Sequence, residues 1–90
     1  MTETENEIST TTVEDILMEK KLVLLNDHVN SFDHVILCLV TVLDYTAEQA
    51  EQVALIVHNK GRCIIKTGLF NELEPIYNQL SLYGLTLEIQ

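Results

Sequence analysis

Basic residues are scarce in this chain: five Lys and Arg stand against fourteen Asp and Glu, which gives a formal net charge of -9. A surface of that sign repels the phosphates of nucleic acids and of anionic membranes, so we expect neither as a partner. No apolar run approaches the roughly 20 residues that a membrane-spanning helix needs, and the polar N-terminus lacks a signal-peptide core. The sequence therefore predicts a cytoplasmic protein.

Glycine, proline and cysteine are scarce as well, with three, one and two copies. The low glycine and proline content excludes a low-complexity chain, and 47% apolar residues provide material for a core. A chain of 90 residues is long enough for one domain and too short for two. Cys38 and Cys63 form no CxxC pair and lie in apolar segments, so we interpret both as reduced core residues.

The first twenty residues differ in composition from the rest. Residues 1–12 are rich in Thr and Glu and lack an apolar period, so they cannot bury enough surface to offset the entropy of ordering them. The short apolar cluster of residues 13–18 fits either a helical turn that docks on a partner or a frayed linker. We predict a flexible acidic extension over residues 1–20 and one folded domain over residues 21–90.

Three short segments predict strands. Residues 21–26 (KLVLLN) form an apolar run too short for a buried helix, and residues 62–67 (RCIIKT) lie between two glycines. Leu85, Leu87 and Ile89 alternate with polar residues, which is typical of a strand with one buried face.

Two consecutive helices follow the first strand. Apolar residues from Phe32 to Leu43 recur at spacings of three and four, and Asn30 is positioned to cap this helix. Thr46 and Gln49 have the spacing of a capping box at the start of the second helix. Gly61 ends the second helix, because glycine readily adopts the left-handed conformation after a C-cap.

A third helix lies between the second and third strands. Pro75 is tolerated only within about the first turn, so this helix should begin near Asn71 or Glu72 and end before Gly84. The resulting order, β-α-α-β-α-β, predicts an α+β sandwich in which helices cover one face of a three-stranded, mainly antiparallel sheet. These runs do not give the order of the strands in the sheet.

Polar side chains gather at the ends of these elements. Asn26, Asp27 and His28 follow the first strand, and His58 lies near the end of the second helix. An amide oxygen, a carboxylate and a neutral imidazole nitrogen all accept hydrogen bonds, and together they suit a small cation such as an α-ammonium group. The same residue types are also common in ordinary turns and helix ends, and by themselves they favour that structural role.

Two spaced motifs resemble the paired signature of the ClpS adaptor family: Leu24-Leu25-Asn26-Asp27 and Val57-His58-x-x-Gly61. Element order agrees with that family from about residue 21 to residue 89. The resemblance implies a non-catalytic adaptor that binds the free N-terminus and large first residue (Phe, Tyr, Trp or Leu) of N-degron substrates. It also implies delivery of these substrates to a Clp-family AAA+ ATPase for degradation, by a monomer without cofactor or metal.

The resemblance also assigns site residues. It implies that three residues receive the substrate's α-amino group: Asn26, Asp27 and His58. It places the pocket for the first side chain among Asn30, Phe32, Val35, Ala54, Val57 and Leu85, with Tyr83 as the alternative to Leu85 for closing the pocket.

The sequence departs from the family at several of these positions. His28 stands where a second acid is usual, and Asn30-Ser31 replaces a Thr-Pro helix entry. Phe32 is bulkier and Ala54 smaller than the usual Met, so we expect Phe, Tyr or Trp to bind at least as well as Leu, and Ile and Val to bind less well. The ATPase-contacting acid and Lys of the third helix align with Asn71 and Ile76, which weakens the expectation for that surface.

Two alternatives remain at this point. One is a non-catalytic interaction domain like the C-terminal domain of the ribosomal stalk protein, which has no amine pocket. The other is a metal or hydrolytic enzyme built from His28, His34, His58, Cys38 and Cys63. The Asn26, Asp27 and His58 combination argues against the first, and the absence of HExxH, CxxC and nucleophile-elbow patterns argues against the second.

Overall fold

The computed structural model describes residues 18–90, in which three strands and three helices follow one another. Most of the predicted extension and of the apolar cluster at residues 13–18 lies outside these residues. The elements, in chain order, are β1 (Lys20–Leu25), α1 (Phe32–Leu43), α2 (Ala47–Lys60), β2 (Arg62–Gly68), α3 (Phe70–Leu82) and β3 (Thr86–Ile89). The predicted order and fold class are confirmed, with shifts of one or two residues at several ends.

The strand order in the sheet is β2-β1-β3, and β1 pairs antiparallel with both neighbours. Leu22, Val23 and Leu24 of the central strand are fully buried. This position explains why residues 22–25 of β1 form an uninterrupted apolar run, whereas the edge strand β3 alternates polar and apolar residues. The register places Leu24 opposite Cys63 on one side and Leu87 on the other.

The core lies between the sheet and the helices. Helix α3 contacts all three strands, α2 contacts β2, and α1 packs against α2 and α3. The residues of this core are Leu22, Leu24, Cys38, Leu39, Ala50, Val57, Ile65, Leu73, Leu80, Leu85 and Leu87. Cys38 and Cys63 are free thiols in or against this core, as predicted, and burial raises the pKa of both.

The prediction that Asn30 caps α1 is wrong. Ser31 is the N-cap, and its hydroxyl accepts the backbone N–H of His34 at 3.1 Å. Asn30 lies one residue too early for this role, and its side chain bonds elsewhere. The helix retains a good capping residue because Ser and Asn serve equally well at an N-cap.

Helix α2 has both predicted end signals. The Thr46 hydroxyl accepts the Gln49 N–H at 3.0 Å, and the Gln49 side chain accepts the Thr46 N–H at 2.9 Å. Gly61 is the C-cap with φ of 92°, and its N–H donates to the Val57 carbonyl at 2.9 Å. The capping box and the terminal glycine are therefore confirmed.

Helix α3 begins at Phe70, earlier than predicted, so Pro75 is its sixth residue. The early start is held by the Glu72 carboxylate, which accepts the Leu69 N–H at 2.8 Å. A proline at this position removes the donor that would bond the Asn71 carbonyl. Asn71 is exposed, so water can satisfy that carbonyl, and the helix tolerates the proline.

None of the helices within residues 18–90 is both long enough and apolar enough to cross a membrane.

Candidate functional site

A cavity of about 370 Å³ lies between the loop after β1, the start of α1 and the second half of α2. Its lining residues are Asn26, Asp27, His28, Asn30, Phe32, Val35, Ala54, Val57 and His58. The structure therefore brings together every residue assigned to the site from the sequence except Leu85, and it adds His28. We call this space the amine cavity, after the α-ammonium ligand that the sequence predicts for it.

One backbone hydrogen bond explains why two distant motifs meet here. The Asn26 N–H donates to the Gly61 carbonyl at 2.9 Å, so the residue after β1 is joined to the C-terminus of α2. His58 lies three residues before Gly61 and therefore lines the same cavity as Asn26. The positive φ of Gly61 allows the chain to turn at this point.

The amine cavity has a polar end and an apolar wall. Asn26, His28 and His58 are exposed polar residues, whereas Ala54 and Val57 are buried. Phe32 is 37% exposed and begins α1, which places it at the rim. The site thus joins hydrogen-bond acceptors to a hydrophobic surface, an arrangement typical of small-ligand sites.

The Asp27 carboxylate is fully hydrogen-bonded by the protein. One oxygen accepts the backbone N–H groups of Val29 and Asn30, both at 2.9 Å. The other accepts the Asn30 side-chain amide at 2.7 Å and the Thr86 hydroxyl at 2.9 Å. These four bonds fill the acceptor positions that an ionised carboxylate offers. Asp27 therefore offers a ligand its negative charge but no free acceptor atom.

This network keeps Asp27 ionised. Partial burial acts to raise its pKa, but the hydrogen bonds from Asn30, Thr86 and Val29 together outweigh that effect and lower the pKa to about 2. Asn26 and His58 are exposed in the same cavity, and an amide oxygen and a neutral imidazole nitrogen are acceptors. The polar end thus combines one fixed charge with two accepting side chains.

Two side chains bond the turn before β3, and one of them, Asn30, lines the amine cavity. The Asn30 amide donates to the Gly84 carbonyl at 2.8 Å, and His34 Nε2 lies 2.8 Å from the Tyr83 carbonyl. A carbonyl only accepts, so Nε2 of His34 carries the proton. Sequence reasoning missed the supporting roles of His34 and Thr86, because their partners are 49 and 59 residues away.

Leu85, assigned to pocket closure, lies behind the amine cavity rather than in its lining. It is 6% exposed and lines an adjoining space of about 20 Å³ that shares five residues with the amine cavity. Tyr83, the alternative, is 45% exposed and lines neither space. Of the two residues, the structure therefore places Leu85 beside the site.

The residues considered for a metal or hydrolytic site do not form one cluster, although Cys38 Sγ lies 3.5 Å from His34 Nε2. His34 bonds the Tyr83 carbonyl, while His28 and His58 line the amine cavity. Among residues 18–90 no group of three or more His, Cys, Asp or Glu side chains is arranged to hold a metal ion.

Comparison with known proteins identifies relatives of one family. Residues 18–88 match the family model of the ATP-dependent Clp protease adaptor protein ClpS. An ATP-dependent Clp protease adapter protein ClpS of Thermosynechococcus vestitus is 34% identical over 68 residues, covering 74% of this chain and 72% of the relative. The ClpS of a Nostoc species is 34% identical over 82 residues, covering 90% and 84%.

A solved structure shares the fold. Agrobacterium tumefaciens ClpS2, bound to L-phenylalaninamide, aligns with a TM-score of 0.68 over 80% of this chain and 94% of that one. The two chains are 17% identical, so this likeness concerns the fold alone.

Proposed function

This chain belongs to the ClpS family of ATP-dependent Clp protease adaptor proteins, and from that premise we propose that it binds N-degron substrates by their free N-terminus and large hydrophobic first residue. It delivers them to a Clp-family AAA+ ATPase for degradation. The observation that carries this proposal is a single cavity with cation-accepting groups at one end and an apolar wall at the other. Family membership sets aside the ribosomal stalk alternative.

The polar end suits an α-ammonium group. This group has a pKa near 8, so it is a cation with three N–H donors at neutral pH. Asn26 and His58 accept two of these donors, and the ionised Asp27 balances the charge without giving up its internal bonds. Charge-assisted hydrogen bonds of this kind contribute on the order of 1.5–3 kcal/mol each.

The apolar wall suits a large first side chain. Val35, Ala54 and Val57 line the cavity beneath the Phe32 rim, and burial of a Phe or Leu side chain contributes roughly 1.5–3 kcal/mol. L-Phenylalaninamide, the molecule bound to the Agrobacterium relative, joins a free α-amine to a benzyl side chain. These two groups correspond to the two ends of the amine cavity, which supports the proposal for this chain.

Delivery is assigned to other parts of the molecule. The acidic N-terminal extension engages the ATPase, and the adaptor domain, which begins with β1 at Lys20, holds the substrate. Asn71 and Ile76 of α3, aligned with the family's ATPase-contacting residues, are exposed and half-buried. Neither is charged, so the extension takes the larger share of the contact with the ATPase.

A degradation assay tests the whole function. A folded reporter that starts with Phe is incubated with the cognate Clp ATPase, its peptidase and this protein, and loss of reporter is followed over time. Degradation should require the adaptor and should stop when the reporter's N-terminus is acetylated. Equal degradation of the free and acetylated reporters, or none for a reporter that the adaptor binds, would contradict the proposed delivery.

A further inference from the structure

Strand β3 is paired with β1 along one edge only, so the main-chain groups on its other edge have no partner in β1. Lys21 and Gln90 exchange both backbone hydrogen bonds, at 2.7 and 2.8 Å. Hydrogen-bonded and non-hydrogen-bonded pairs alternate in an antiparallel ladder, so Glu88 also bonds β1. Leu87 and Ile89 occupy the intervening positions. Their N–H and C=O groups point away from β1, and within residues 18–90 no other strand pairs with that edge.

A second cavity, of about 300 Å³, lies along this edge. It is lined by Phe70, Glu74, Tyr77 and Asn78 of α3 and by Leu87, Glu88 and Ile89 of β3. Successive side chains of a strand point to opposite faces, so three consecutive residues line one cavity only where it runs along the strand's outer edge. We call this space the edge groove. It shares no lining residue with the amine cavity.

The edge groove has the features that bind an extended chain. The outward groups of Leu87 and Ile89 provide main-chain donors and acceptors, and an added strand uses them as a template. Phe70, which is 38% exposed, and Tyr77 form an apolar wall for alternate side chains of that strand. Main-chain pairing supplies affinity here, and the wall selects the side chains.

The charge of the edge groove limits what occupies it. Glu74 and Glu88 line it, and no lysine or arginine does. Residues 1–17 of this chain carry five acids and no base, namely Glu3, Glu5, Glu7, Glu14 and Asp15. A second copy of the protein brings a net charge of -9. Like charges opposite each other are unfavourable, so both of these occupants are disfavoured.

We propose that the edge groove receives an extended basic segment of a partner protein, which adds to β3 as a fourth strand. Lysines or arginines of that segment lie near Glu88, and its alternate apolar side chains contact Phe70 and Tyr77 on the opposite face of the added strand. This partner surface is separate from the amine cavity and does not require a free N-terminus.

The probe is a peptide of alternating Lys and β-branched residues, acetylated and amidated so that it has no α-ammonium group. It is titrated into the full-length protein and followed by amide NMR and hydrogen exchange. In the free protein, the amides of Leu87 and Ile89 should exchange faster than those of Glu88 and Gln90. The peptide should slow exchange at Leu87 and Ile89 and shift the signals of the edge-groove residues.

A matched pair of variants isolates the main-chain contact. Ile89→Ala removes the side chain and keeps the outward N–H, whereas Ile89→Pro removes both and leaves the bonds to β1 in place. Ile89→Pro should bind the peptide roughly fivefold more weakly than Ile89→Ala, the change expected for one net hydrogen bond. Glu88→Gln should also lower the affinity for the peptide and make that affinity less dependent on salt concentration. Glu48→Gln, on α2, should change neither.

Several results would overturn the proposal. They include unchanged exchange at Leu87 and Ile89 with peptide in excess, equal affinity of the two Ile89 variants, and equal binding of a Glu-containing peptide of the same pattern. Self-association that Ile89→Pro abolishes would assign the edge groove to a second copy. Tighter peptide binding after deletion of residues 1–17 would assign it to the protein's own N-terminal segment.

Discussion

At the scale of single residues, the Asp27 carboxylate differs from an ordinary ligand-binding carboxylate because the protein itself fills its hydrogen bonds. Its four hydrogen bonds hold the loop after β1 and connect that loop to Thr86 of β3. The same bonds keep the carboxylate ionised beside the amine cavity. One side chain therefore shapes the site and supplies its negative charge.

Asp27 predicts a specific sensitivity to acid. Its pKa is about 2 in the folded protein, below the value of about 3.9 in an unfolded chain. The stability that ionised Asp27 contributes to the folded protein is therefore fully present above about pH 4 and is lost as the pH falls through about 2. The difference in urea midpoint between the wild type and Asp27→Asn should shrink over this range. A difference that stays constant from pH 5 to pH 2, with Glu51→Gln as the control, would contradict this assignment.

Phe32 predicts the selectivity of the amine cavity. A bulky side chain at the rim crowds a β-branched first residue, whose extra methyl group lies close to its backbone. The wild type should bind peptides that start with Phe, Tyr or Trp at least as well as Leu, and Ile or Val less well. Phe32→Ala should improve Ile and Val relative to Phe in calorimetric titrations. Val29→Ala is the control, because Val29 is 88% exposed in the loop before α1 and does not line the cavity. An unchanged Ile-to-Phe ratio in Phe32→Ala would remove Phe32 from this role.

At the scale of elements, helix ends were predicted correctly where the residue at the end has only one common structural role. Thr46, Gln49 and Gly61 were placed correctly because capping boxes and positive φ values depend on neighbouring residues alone. Asn30 and Ser31 are both good caps, so the sequence could not separate them. The start of α3 was predicted too late because of Pro75. The helix tolerates this proline because Asn71 is exposed, and exposure is a tertiary property.

The conformation of Gly61 at the end of α2 predicts how substitutions there change the stability of the protein. Its φ of 92° is a strained conformation for alanine, although no atom of residues 18–90 beyond its two chain neighbours lies within 4 Å of an added Cβ. Gly61→Ala should therefore lower the free energy of unfolding by about 1–2 kcal/mol through backbone strain alone. Gly61→Asn should cost less, because asparagine tolerates this region better. Equal denaturation midpoints for the wild type and Gly61→Ala would show that this turn is not under such a constraint.

At the scale of the whole molecule, the site depends on contacts that local patterns do not contain. The Asn26 to Gly61 hydrogen bond joins two motifs, and the Asn30 to Gly84 bond fastens the turn before β3. From the residues alone, the polar groups could be named but not brought together. Resemblance to the family supplied that step, and the sheet order β2-β1-β3 and the edge groove became visible only in the folded structure.

The division of labour between extension and domain gives a further prediction. The amine cavity is built from residues 26–58, so deletion of residues 1–17 should leave peptide affinity unchanged within about twofold. The same deletion should reduce degradation of a Phe-starting reporter by the Clp ATPase. Calorimetry and the reporter assay measure the two effects on one protein sample. A deletion that abolishes peptide binding while circular dichroism shows an intact fold would reject this division.

The central claim, that the amine cavity recognises a free N-terminus, is tested most directly by calorimetry with one peptide in two forms. The peptide starts with Phe, and its twin is identical except for an acetylated α-amine, which removes the charge and two of the three donors. The free peptide should bind at least tenfold more tightly, since even one charge-assisted hydrogen bond is worth about 1.5–3 kcal/mol. His58→Ala should narrow this difference by weakening the free form. Equal affinity of the two forms for the wild-type protein would contradict the account.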